Sequence, residues 1–257
     1  MLTRQSATRG AASWTRRGVG RLLAVALAAT LAAPVGALSD EPVSTTEINT
    51  LVEDARKSLE RLESMPHSED FRDHLAKARG VLIVPELVKG GFILGAEGGT
   101  GVLLVRGADG TWSAPAFYTL GAGSLGFQAG LQVSEVVFTV MTEGAIEALL
   151  NDEFKLGADA SVAMGPLGAG IEASSTTNLG ADIYAFSRAV GLFGGGAIEG
   201  GKIIARQDWN DTYYGAPAPA RAVVIERQFF NPQADPLRQS LPQTPPPALP
   251  GDGSSNS

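Results

Sequence analysis

The period of the hydrophobic pattern changes along this chain. From 44 to 78 the apolar positions Ile48, Leu51, Val52, Ala55, Leu59 and Leu62 fall at i, i+3, i+4, i+7, i+11 and i+14, which is one stripe of an α-helix. Thr46 is placed to cap this helix, Met65-Pro66 to end it, and 68–77 reads as a second, shorter one. From about 80 to 228 the stripe gives way to short Val, Ile and Leu runs broken by glycine: AKARGVLIVPELVKGGFILGAEGGTGVLLVR at 76–106, FYTLGAGSLGFQAGLQVSEVVFTVM at 117–141 and AFSRAVGLFGGGAIEGGKIIARQD at 185–208. β-Branched and leucine side chains suit pleated, half-buried surfaces, and glycine permits tight corners and close backbone approach, so this stretch predicts strands and turns. One helical interruption is expected at TEGAIEALLND, with Thr142 as N-cap and Ile146, Leu149 and Leu150 as its apolar face. The predicted class is α+β: a glycine-rich curved antiparallel sheet or small barrel flanked by N-terminal helices and one mid-chain helix.

The two ends differ from this body. Residues 1–37 carry Arg4, Arg9, Arg16, Arg17 and Arg21 without an acid, then the apolar run LLAVALAATLAA and small residues before Asp40. That order is the pattern of a secretory signal peptide, and the run is too short to span a bilayer. An exported, periplasmic product is expected, peripherally membrane-associated at most. Residues 229–257 form the other trimming: from Asn231 onward they hold seven of the 15 prolines and end in GDGSSNS. Such a segment predicts a disordered tail that can be deleted without touching the fold. The domain itself is expected over 38–228.

Charge and composition narrow the chemistry. Removing five arginines and no acid moves the formal charge from −7 to −12, which disfavours nucleic acid, because phosphate neutralisation needs clustered Lys and Arg. The same balance disfavours the first helix as a membrane-surface helix, since its polar face is built from Glu47, Glu53, Asp54, Glu60 and Glu63. With no cysteine in the chain, disulfides, thiolate metal sites and a cysteine nucleophile are excluded.

Gly121, Gly123 and Gly126 fit G-x-G-x-x-G, but the segment after them is β-branched, where a dinucleotide site needs a helix N-terminus. A second string, Gly196 to Lys202, imitates a phosphate loop but puts Ile203 where Ser or Thr would hold magnesium. His67 and His74 stand two helical turns apart, too far to share an ion, and are expected in solvent. No convergent acid–base group or bound cofactor is indicated, so the expectation is a non-enzymatic protein.

The order of motifs resembles the SYLF family of lipid-binding domains, which has a yeast actin-associated branch. The resemblance runs from about Leu51 to Val224. It rests on AKARG with VLIVP, on Lys89 to Phe92 with GAEGGTGVLL, and on WSAPAFY at 112–118. It continues through GSLGFQAG at 123–130, GPLG at 165–168, YAFS with GLFGGGAIEGGKI from Tyr184, and YYG at 213–215. It implies a β-rich domain with flanking helices that associates with phospholipid, here in an exported bacterial member.

On that basis the expected function is non-enzymatic phospholipid binding at the bacterial envelope. The competing reading is a periplasmic structural or protein-interaction module with an envelope protein as partner. The cations expected to meet a headgroup or membrane surface are Lys77, Arg79, Lys89, Arg106, Lys202 and Arg206. Gly121, Gly123, Gly126 and Gly130 are expected to serve the fold.

Overall fold

A computed structural model of the chain describes residues 43–91, 94–125, 130–151, 153–165, 180–191 and 201–244. Both the expected signal peptide and the PPPALP segment lie outside these residues. Val43–Ser257 forms one compact unit, distinct from Met1–Pro42.

The helical stripe becomes α1 (Thr45–Glu63), with Ile48, Val52, Ala55, Leu59 and Leu62 buried. Its cap is Ser44 rather than Thr46: the Ser44 hydroxyl accepts the Glu47 N–H at 3.1 Å. Ser44 has the extended backbone that an N-cap requires, so the helix starts two residues earlier than expected. α2 (Glu69–Lys77) follows, and the Ser68 hydroxyl donates to the Glu63 carbonyl at 2.7 Å, tying it to the end of α1.

Eight strands then form one curled sheet: β1 (Gly80–Gly91), β2 (Leu94–Val105), β3 (Ala116–Leu125), β4 (Gly130–Val140), β5 (Phe154–Lys155), β6 (Val162–Met164), β7 (Ile183–Gly191) and β8 (Lys202–Ala205). Their spatial order is β5-β8-β3-β2-β1-β4-β7-β6. The two edge strands are consecutive in sequence, and a bridge between Leu156 and Ala160 draws the edges together. The result is a half-barrel, as the curved-sheet expectation had it.

The sheet is buried on both faces at one end. On β1, Val81 and Ile83 face outward under α1 and α2, while Leu82 and Val84 face inward; on β2, Val102 and Leu104 face outward and Leu103 and Val105 inward. This double cover explains why GVLIV and GVLLV read as unbroken apolar runs rather than alternating ones. The inner core is closed by α3 (Glu143–Leu149) and α5 (Ala220–Val224). Thr142 caps α3 as expected, accepting from the Ala145 N–H at 3.2 Å.

Two helices fall in the stretch read as strands and turns: α4 (Gln207–Tyr214) and α5. The QDWNDTYY run of α4 has weak intrinsic helix preference. Tertiary contacts compensate: the Phe117 ring lies 5.0 Å from Tyr213 and 6.0 Å from Trp209, and its N–H donates to the Asn210 side-chain oxygen at 2.9 Å. Gly215 ends the helix with φ at 70°, a left-handed cap that favours glycine.

The proline-rich tail is corrected more sharply. Residues 231–244 form a 3-10 turn (Pro232–Ala234) and α6 (Asp235–Ser240), and bury Ala234, Leu237 and Leu241 in the outer core beside α1. Pro232 and Pro236 sit in the first turns of these elements, where a missing N–H costs nothing. Any removable tail therefore starts beyond Thr244, not at 229 or 231.

Asp182 links the far edge to α3. Its carboxylate accepts from the Ser161 hydroxyl at 2.7 Å, the Ser161 N–H at 3.0 Å and the Thr142 hydroxyl at 3.0 Å. These bonds, led by the Ser161 hydroxyl, hold its pKa below the ordinary aspartate value. A group depressed in the folded state lends stability above its unfolded pKa and loses it as pH falls through the folded value. Asp182→Asn is therefore expected to lower the melting temperature at pH 7, and its gap to the parent to narrow as pH falls below the ordinary aspartate value of about 3.9. A gap that stays constant across a pH series of melts would remove Asp182 from the account.

Candidate functional site

Alternation along the strands places a polar layer inside the half-barrel at its glycine-rich end. Leu87 of β1 belongs to the inner core, so Lys89 shares its face; on β2 the inward series from Leu103 reaches Glu97. The register agrees, pairing Lys89 with Glu97 on one side and with Gln132 on the other. On β4 the inward series from Val136 contains Ser134 and Gln132, and the Gln132 amide donates to the Ser134 hydroxyl at 2.9 Å. Lys89 Nζ lies 3.7 Å from Glu97 Oε2, with side-chain exposures of 11% and 7%. Below this layer the interior is apolar: Leu87, Leu120 and Val136.

A second feature lies outside the sheet. A cleft of about 300 Å³ between α1 and the strands is lined by Leu51, Asp54, Arg61, Pro85, Glu86, Val133, Glu135 and Arg188. Arg61 Nε donates to Glu135 at 2.6 Å and Arg188 to its other oxygen at 3.2 Å. One carboxylate thus receives two guanidinium groups and clamps α1 to β4 and β7. Glu135 accepts from a guanidinium on each of its oxygens, so the arrangement ties the three elements together.

The six expected cations do not converge. Arg106 is buried, donates to the Leu75 and Ala76 carbonyls at 2.8 Å and to Thr244 at 3.1 Å, and its guanidinium stacks 4.5 Å from the Trp112 ring. It joins α2, β2 and the C-terminal strap, and burial lowers its pKa from the ordinary arginine value. Arg79 reaches Glu143 at 3.0 Å. Lys77 is exposed in the last turn of α2, where a cation complements the helix dipole. Lys202 points outward and pairs with Glu153 at 3.1 Å. Arg206 forms a two-bond pair with Asp208 at 2.9 and 2.7 Å and lies 5.0 Å from the Trp209 ring. Lys89 alone faces the half-barrel interior.

Other expectations resolve here too. His74 is half-buried, its ring 4.2 Å from Tyr184 and 5.4 Å from Phe186, where solvent was expected; α2 packs on β7 and carries it there. His67 is exposed, as expected. Gly121 and Gly123 lie inside β3, so the first two glycines of the dinucleotide look-alike open no helix; Gly126 lies outside the described residues. Among the described residues no group of three metal-ligating side chains occurs, and no helix is long and apolar enough to cross a membrane.

Glu97, Gln132 and Ser134 were missed by sequence reasoning. A signal existed: Lys89 stands two residues before Gly91 and Glu97 two residues after Gly95, and Gly91 pairs with Gly95, so a hairpin brings the charges face to face.

Among families of known proteins, residues 121–244 match the one described as "Ysc84: Las17-binding protein actin regulator". LAS seventeen-binding protein 3 of Saccharomyces cerevisiae (strain ATCC 204508 / S288c) is 34% identical over 174 residues, 66% of this chain and 37% of the relative. Protein YSC84 of the same yeast is 34% identical over 172 residues, 65% and 36% respectively. SH3 domain-containing YSC84-like protein 1 of Homo sapiens is 34% identical over 141 residues, 54% and 41%. The chain spans less than half the length of these relatives. The family match continues through α6 to Thr244, in accord with the docked strap.

Proposed function

The domain in this chain belongs to the Ysc84, or SYLF, family, and from that membership we propose that it is a non-enzymatic phospholipid-associating domain of the bacterial envelope. The carrying observation is the polar layer of Lys89, Glu97, Gln132 and Ser134 inside an otherwise apolar half-barrel. These groups contact one another, Lys89 with Glu97 at 3.7 Å and Gln132 with Ser134 at 2.9 Å, and give the apolar interior one polar end, the arrangement that an amphipathic ligand would match. Among the described residues most outward cations lie in ion pairs with acids, and the formal charge beyond residue 37 is −12. Both points favour recognition by a defined site over general attraction to an anionic surface.

Liposome co-sedimentation of the chain from Asp40, at low and at physiological salt, tests this reading. Binding that survives salt supports enclosure of the headgroup. Binding lost with salt shifts the contact to the exposed Lys77, Lys202 and Arg206. No binding at either salt sinks the lipid reading.

The relatives' descriptions as Las17-binding and actin-regulating proteins, together with Phe230 at 66% exposure and the exposed Ile225, support the second reading, a protein-interaction module. A chain ending at Thr244 keeps the docked strap and removes PPPALP, so it separates a partner read through the tail from one read through the domain.

A further inference from the structure

We infer that the cleft between α1 and the outer face of the sheet is a binding site for a small amphiphilic monocarboxylate, held by Arg188 with Arg61 and walled by Leu51, Pro85 and Val133. This site is separate from the inner polar layer and does not rest on the lipid reading. The space exists because β1 bulges: its register with β2 shifts between Ile83 and Val88 and its register with β4 between Val84 and Leu87, and Pro85 and Glu86 fall in that gap. A volume of about 300 Å³ is at the lower end for small-molecule sites.

Arg188 is more than the clamp needs. Arg61 by itself ties α1 to β4, through Nε and Nη2 on one Glu135 oxygen. A continuous backbone ladder from Gln132 to Val140 already joins β4 to β7, and Glu135 and Arg188 are direct partners within it. Arg188 gives Glu135 a single bond, from Nη1 at 3.2 Å. Among the described residues nothing takes its Nε and Nη2, the side-on fork that matches the two oxygens of a carboxylate. Arg61 likewise keeps its Nη1. Glu135 holds both guanidinium groups, so these donors are positioned before a ligand arrives.

Charge and walls define the ligand. In the lining Arg61 and Arg188 are balanced by Glu135 and Glu86, while Asp54 pairs with Lys57 at 3.3 Å. A monoanion adds one charge to this balance, whereas a phosphate dianion adds two beside Glu86 and Glu135. The three apolar walls favour an alkyl body, at about threefold to fourfold in affinity per buried methylene.

Calorimetry on the chain from Asp40, which contains the whole compact unit, tests the site with sodium octanoate, butyrate, octanol and octyl phosphate. Arg188→Lys keeps a cation for Glu135 but removes the fork, and Leu51→Gln removes part of the apolar wall. Octanoate is expected to bind about tenfold or more tighter than the other three probes. Arg188→Lys is expected to lower octanoate affinity about tenfold or more while melting within a few degrees of the parent, and Leu51→Gln to shrink the octanoate–butyrate gap. In an NMR titration of the parent the Arg188 Nε–H resonance shifts with octanoate, a readout independent of how the variants fold. No octanoate binding, binding unchanged in Arg188→Lys, an unmoved Nε–H resonance, or octanol bound as tightly as octanoate overturns the site. Tighter binding of octyl phosphate overturns the carboxylate assignment. Each of these failures leaves phospholipid association to be decided by the vesicle experiment.

Discussion

A chain ending at Phe230 is expected to lose most of its folding stability, while one ending at Thr244 melts with the parent. The shorter cut removes Leu237 and Leu241, which are 1% and 2% exposed, together with the fully buried Ala234. Burying two leucines contributes about 3–6 kcal/mol, against a total of about 5–15 kcal/mol for an ordinary domain. Polar losses add to this. Trp112 Nε1 loses its acceptor at Pro242, 2.8 Å away, Arg106 loses the Thr244 carbonyl, and Arg238 no longer donates to the Trp112 carbonyl at 3.0 Å. Urea unfolding midpoints of the two truncations decide the matter; identical midpoints would show that the strap is dispensable. The result also governs functional work, because lost binding after a cut at 231 reports unfolding and not the loss of a partner.

The second large effect falls on two glycines of β2. A Cβ at Gly99 would lie 2.4 Å from the Glu86 carbonyl oxygen, and one at Gly101 2.5 Å from that of Ile83 and 2.8 Å from a Val84 methyl. These contacts arise where β1 bulges over β2: pairing shifts register between Ile83 and Val88, and the inner backbone of β1 crosses the space a side chain would need. Because β1 is paired on both sides, by β2 and by β4, it has little freedom to retreat. Gly101→Val or Gly99→Val is expected to cost about 3 kcal/mol or more, the upper range for overpacking. Gly121→Ala and Gly123→Ala meet nothing within 4 Å. They are expected to be neutral or slightly stabilising, through reduced freedom of the unfolded chain. Chemical denaturation of the four variants tests the contrast, and equal losses at all four would refute the crowding account.

Polar positions were the least legible part of the candidate site. Charge alone does not locate a site, and Arg106 shows why: a guanidinium in an apolar-flanked strand end looks the same in sequence whether it greets solvent or ties three elements together. The surroundings of Lys89 depend on Glu97 across the hairpin and Gln132 on the other side. Arg61, Glu135 and Arg188 come together from α1, β4 and β7, with 74 residues between Arg61 and Glu135 and 53 between Glu135 and Arg188, and no local pattern links them.

Local order in the chain was enough to determine α1, α2 and α3, the glycine-punctuated strands and the curled α+β body, because periodicity and capping act over a few residues and the buried faces follow from them. Tertiary structure alone decided the rest. It turned weak helix formers into α4 by packing Trp209 and Tyr213 on Phe117, and drew a proline-rich segment onto the core through Leu237 and Leu241. It also separated crowded glycines from open ones by where β1 bulges, and set Lys89 against Glu97 inside the half-barrel. Each of these depends on which distant backbone lies alongside, a property of strand order and register that no short window of sequence contains.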